Sequence, residues 1–196
     1  YDYFAECIRY IKWIYTSKSA GNVALGNIKA YATPYTRNVT NIGNFGTICL
    51  PCDAIITGAY LYSIAGEANG WIYLNEETTL EAGNPYIFEA TAEAVKCYYT
   101  STEEATEAET VNGLVGSLTG TSVPTGKYIL KHNEIRLAGT GVNIGANRAY
   151  IDLSEVPAYE GGADVKAISI FDTTTGINGI DATTKGEAIY NIAGQK

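Results

Sequence analysis

From Gly46 to Leu153 the chain is a succession of short apolar runs, each broken within a few residues by Gly, Asn or Pro. The runs are Gly46–Leu50, Ala59–Ile64, Trp71–Leu74, Tyr86–Glu89, Val95–Thr100, Lys127–Lys131, Ile135–Ala138 and Ala149–Leu153. None is long enough to hold several turns of an amphipathic helix. Turn pairs such as Asn69-Gly70 and His132-Asn133 stand between them. Short strands at this spacing build all-β sandwiches or barrels. The reading is an all-β antiparallel β-sandwich of short strands over residues 37–157. Its expected core is the inward side of those runs: Ile48, Leu50, Leu61, Ile72, Ile87, Leu130, Ile151 and Leu153.

Composition agrees with strands. The 196 residues include 21 Gly and 16 Tyr, suited to tight turns and to half-buried pleated surfaces. A turn-into-strand device recurs three times, at Leu80–Ile87, Val123–Ile129 and Ile144–Ile151: an apolar anchor, small turn residues, then Tyr shortly before an Ile. The copies are unevenly spaced, which argues one fold rather than a solenoid. Ser101–Thr110 alone has helical bias, with capping-box spacing at Ser101-Thr102-Glu103-Glu104; it reads as one helical turn or a loop.

A formal net charge of −8 argues against nucleic acid as a partner, because phosphate binding needs a concentrated basic face. No run approaches the roughly 18 apolar residues of a transmembrane helix, so no membrane span is expected. The chain begins at Tyr1 and contains no Met, which reads as a processed or excised piece of a longer product.

The flanks differ from the centre. Ile8 to Thr16 alternates with apolar groups on both faces, Ser17–Asn22 supplies a turn, and Val23 to Tyr31 begins a return strand. Residues 1–36 therefore read as an N-terminal β-hairpin. Its stretch Tyr10–Ala32 resembles the closing strands of a discoidin-like jelly roll, implying a remnant of an upstream module. An isolated hairpin is marginal in water, so it should pack on the sandwich through Trp13 and Tyr15. Residues 158–196 read as a linker and tail. The ending Ala188-Ile189-Tyr190-Asn191-Ile192-Ala193-Gly194-Gln195-Lys196 resembles the opening of a C-terminal (type IX-like) sorting tail of Bacteroidetes secreted proteins, cut short at Lys196. Between the flanks, Gly46–Ala54, Gly58–Ile64, Thr78–Ala90, Asn112–Leu118, Val123–Leu130 and Ala146–Pro157 together resemble a β-rich module found near the C-termini of Bacteroidetes surface proteins. The resemblance implies an all-β fold, a secreted or cell-surface location and no catalytic residues. It also implies, as partners, other modules of the same polypeptide.

Several residues carry chemistry by type. Cys49-Leu50-Pro51-Cys52 has the spacing of a redox pair or half a zinc site, but lacks the strand–helix context of the first, and the second needs two more ligands, for which only Cys7, Cys97 and His132 are at hand. Core or rim thiols are the plain reading, and a Cys52–Cys97 disulfide is the main alternative; no metal and no cofactor are expected. His132 is the single His and reads as an exposed turn residue. Glu67, Glu76, Glu77, Glu81 and Glu89 are candidates for a glycosidase-like carboxylate pair by type only, since such pairs are set by space. Trp71, Tyr73 and Tyr62 are the candidate ligand-binding residues, because flat aromatic faces suit sugar CH patches; core packing is the competing reading. Asp172-Thr173-Thr174 resembles a Bacteroidetes O-glycosylation acceptor, with Thr173 as the modified residue.

Three functions compete: a non-catalytic spacer module of a larger exported surface protein, a module binding a neutral glycan, and a carboxylate-based hydrolase. An exposed strip of Trp71 with other aromatics favours the second, and two carboxyl groups facing each other in a cleft favour the third.

Overall fold

A computed structural model describes residues 34–161 and 166–171. The expected hairpin over residues 1–33 and the expected sorting tail, with Thr173, lie outside the described residues. So do Trp13 and Tyr15.

The described chain is all β, apart from one turn of 3-10 helix at Leu153–Glu155. In order the strands are β1 (Tyr35–Asn38), β2 (Phe45–Cys49), β3 (Ala54–Thr57), β4 (Ala59–Ala68), β5 (Trp71–Glu77), β6 (Pro85–Ala90), β7 (Ala94–Tyr99) and β8 (Thr110–Val111). They continue with β9 (Leu114–Ser117), β10 (Thr121–Ser122), β11 (Tyr128–Lys131), β12 (Glu134–Leu137), β13 (Asn143–Ile144), β14 (Arg148–Ile151) and β15 (Lys166–Phe171). Ten of them form one sheet in the order β2-β6-β4-β5-β15-β12-β11-β14-β9-β8. A three-stranded sheet, β1-β7-β3, and the pair β10-β13 complete the set.

The expected turns form. Asn69 and Gly70 both have positive φ and close the β4–β5 hairpin; His132 and Asn133 do the same between β11 and β12. In the recurring device, Gly83, Gly126 and Asn147 all take positive φ, each just before a strand of the large sheet. Ser101–Glu109 contains no helical turn. The Ser101 hydroxyl accepts from Glu103 N–H, two residues on, a bond that stabilises a turn in competition with a helix.

Two expectations need correction. The sheet is mixed, not purely antiparallel: β15 runs parallel to β12 and antiparallel to β5. The module also does not end at Pro157, because β15 is inserted in the middle of the large sheet and contributes Ile168 to its interior. At the other boundary, β1 straddles residues 36 and 37.

The large sheet curls until its far strands meet its first ones. Side chains close that seam. The Thr47 hydroxyl on β2 donates to Ala149 O on β14 and accepts from Ala149 N–H, both at 3.0 Å. At the other end of β2, the Asn133 carboxamide accepts from Phe45 N–H and donates to Gly43 O. Inside the curl lie Ile64, Ile72, Leu74, Ile87, Leu114, Ile135, Ala149, Ile151 and Ile168. A second cluster, including Ile48, Leu50, Leu61, Tyr86, Phe88, Val95 and Cys97, fills the gap between the opposite face of β2, β6 and β4 and the three-stranded sheet. Of the expected core, Ile48, Leu50, Leu61, Ile72, Ile87 and Ile151 are fully buried; Leu130 and Leu153 are half-buried at the edge of the curl.

Candidate functional site

Register decides which aromatics reach solvent. On β5, Ile72 and Leu74 point into the curl, so Trp71 and Tyr73 stand on the outer face. On β15, Ile168 and Ile170 face the curl, and Ala167, Ser169 and Phe171 face out with them. Ser169 lies opposite Trp71 and Ala167 opposite Tyr73. Phe171 is thus the diagonal neighbour of Trp71, within reach of a large aromatic side chain. One strand further, Arg136 on β12 lies opposite Phe171, its guanidinium carbon 4.3 Å from the ring centroid. The outer face of β5, β15 and β12 therefore carries a strip running Tyr73, Trp71, Phe171, Arg136.

Its members differ in exposure. Trp71 is 45% and Phe171 39% exposed. Tyr73 is half-buried, because Tyr159 stacks on it with centroids 4.0 Å apart and planes 6° from parallel. Tyr159 is placed there by backbone: Pro157 O accepts from Glu67 N–H, and Tyr159 N–H donates to Glu67 O. Gly66 lets that segment approach, since a Cβ there would lie 2.8 Å from Tyr159 N. At the other end, Glu134 pairs with the Arg136 Nη2 group. Arg136 Nε is buried with no hydrogen-bond partner among the described residues.

Tyr62, expected with Trp71 and Tyr73, belongs elsewhere. It is 7% exposed and joins the interior of the curl. The β4 alternation that turns Leu61 toward the three-stranded sheet turns Tyr62 the opposite way. Its hydroxyl donates to Glu89, and burial followed by the Glu89 charge pushes its pKa up to about 12. Lys166 also pairs with Glu89. Phe171 and Arg136 were not singled out from sequence. The alternation Lys166-Ala167-Ile168-Ser169-Ile170-Phe171 marks a strand, but nothing local says that β5 and β12 flank it.

Four of the candidate carboxylates serve local hydrogen bonds, while Glu76 on β5 lies opposite Tyr62, where its charge and that of Glu89 both act on the Tyr62 hydroxyl. Glu67 accepts from Gly70 N–H, Glu77 from the Ser63 hydroxyl, and Glu81 from the Asn84 amide, while Glu89 takes Tyr62 and Lys166. His132 is exposed in its turn.

The cysteines also depart from expectation. Cys97 is a free, buried thiol, so a Cys52–Cys97 bridge does not form. Cys97 faces Ile48 and Phe88 between the two sheets, where apolar packing is its role. Cys49 is free and buried too, donating to Gly83 O at 3.2 Å. Cys52 is disulfide-bonded, to neither of these. Burial pushes both free thiols up to about 12, far from the thiolate that redox or metal chemistry uses.

Outside the strip, the described residues include a shallow concavity of about 420 Å³ of mixed lining, with Glu107, Ser117, Thr121 and Tyr150 beside Val115 and Leu118. No helix among the described residues is long and apolar enough to cross a membrane. Comparison with protein-family models, with curated proteins and with solved structures finds no match.

Proposed function

We propose that this chain is a non-catalytic accessory module of a larger exported surface polypeptide, and that it binds a neutral glycan on the outer face of β5, β15 and β12. The observation that carries the binding role is the exposure of Trp71 and of its diagonal neighbour Phe171 on the outer face of the sheet. Aromatic rings presented this way offer broad apolar area at small entropic cost, and sugar CH faces match them. The acidic net charge disfavours an anionic glycan, which it would repel. The placement within an exported surface protein rests on the resemblance of residues 46–157 to the β-rich modules of such proteins.

The test is calorimetric titration of the native chain and of Trp71→Ala with neutral β-1,4-glucan, β-1,4-xylan, β-1,4-mannan and α-1,4-glucan oligosaccharides. A shallow stacking site buries little area, so affinity should be weak, with Kd on the order of 0.1–1 mM. Binding by the native chain that disappears in Trp71→Ala, with circular dichroism unchanged, supports the glycan role. No binding by the native chain leaves the plain spacer, which holds neighbouring modules apart.

A further inference from the structure

Arg136 sits where a residue chosen for stability alone would differ. Its Nε is buried with no hydrogen-bond partner among the described residues, and leaving a buried donor unsatisfied is destabilising. Its pairing with Glu134 is partly exposed, with side chains 37% and 33% accessible, a setting in which ion pairs stabilise little. Stacking on Phe171 could be matched by an apolar side chain of similar length. A residue that breaks a local rule without an evident structural gain points to function.

We infer that the Arg136–Glu134 pair is the polar, specificity-determining end of the aromatic strip, reading neighbouring hydroxyl groups of a neutral sugar stacked on Trp71. This rests on the glycan-binding reading and extends it. A sugar hydroxyl both donates and accepts, and the pair offers both functions side by side: guanidinium N–H groups donate and the carboxylate accepts. The two charges offset one another, so the pair holds no net attraction for an anionic ligand. The guanidinium lies over the Phe171 ring, which fixes its plane against the aromatic platform. Stacking alone accepts any sugar with an apolar face, and the pair restricts the choice to sugars with free hydroxyls at the platform edge.

The experiment compares native protein, Arg136→Met and Arg136→Lys, using the tightest-binding oligosaccharide of the panel and its permethylated counterpart. Permethylation keeps the ring faces but removes every hydroxyl donor. The native chain should prefer the free oligosaccharide. Arg136→Met should bind it about tenfold more weakly, the loss of one or two charge-assisted hydrogen bonds, and should lose the preference. Its thermal midpoint should be unchanged or higher. Arg136→Lys, which keeps the charge but not the planar fork, should fall between them. Arg136→Met that unfolds or melts lower shows the residue to serve the fold, and overturns the inference. Equal affinity and retained discrimination in Arg136→Met overturn it while leaving the glycan reading in place. Absence of any binding by the native chain overturns both.

Discussion

One sheet in this molecule lives under two regimes. At β2, β6 and β4 both faces are covered, by the curl on one side and by β1, β7 and β3 on the other. At β5, β15 and β12 the inner face is covered, while the outer face, beyond the stack of Tyr159 on Tyr73, carries Trp71 and Phe171 in partial contact with water. The strands of the two halves are continuous in hydrogen bonding, so backbone pairing does not distinguish them. Coverage does. Where a second layer arrives, the outer-face residues Ile48, Leu61 and Phe88 become core. Where it stops, residues of similar size become surface, and their value shifts from packing to contact.

The sharpest way to break that contrast is to truncate one aromatic in each half. Phe88→Ala should destabilise by about 3–5 kcal/mol, the usual range for removing a buried phenyl ring. Trp71→Ala should change stability by only about 0.5 kcal/mol, as surface substitutions do. Urea unfolding of both variants measures the difference. Comparable losses would mean that the outer face at β5 is packed as tightly as the covered half.

The seam that closes the curl is the next test. Thr47→Val keeps the shape of the side chain but leaves Ala149 N–H and C=O without the hydroxyl that serves both. A loss of about 1–3 kcal/mol is expected. Hydrogen exchange at Ala149 should accelerate more than at Ile72, which stands on the open half. Uniform acceleration across the sheet would show that the seam and the open face unfold as one unit.

A smaller effect is expected from acid. Asp152 is held below the ordinary carboxylate range, by Lys127 first and then by the Ser154 hydroxyl. A depressed carboxylate pKa adds stability above its unfolded value, and that stability is lost as pH falls through the folded one. Thermal midpoints of the native chain should therefore drop below about pH 4, and Asp152→Asn should flatten that part of the profile. A profile unaltered by the substitution would show that the Lys127–Asp152 pair does not set the acid limit of stability.

Much of the covered half was legible from residue order. Ile48, Leu61 and Ile87 stand in short apolar runs between turn residues, and such a run bounded by turn signals marks a strand buried on both faces. Asn69-Gly70 and His132-Asn133 announced their hairpins for the same local reason: those residue types tolerate positive φ. Tyr62 was misplaced because β4 is buried on both faces, so alternation there does not separate core from surface. Cys97 was misassigned because a cysteine in a strand gives no sign of what lies across from it. The open half was only half-readable. Trp71 and Tyr73 could be named by type, but Phe171 and Arg136 join them through β15, whose insertion between β5 and β12 is a long-range pairing with no local signature.

The chain by itself determined its class, its turns and most of its buried residues, because strand period, turn chemistry and apolar runs are properties of neighbours in sequence. Tertiary structure alone decided which faces of those strands would be covered twice. It also brought Arg136 over Phe171 beside Trp71, and left Cys97 a packed thiol rather than half of a bridge. Those outcomes depend on which distant strands pair and where a second layer ends, and free energies of that kind are summed over the whole fold.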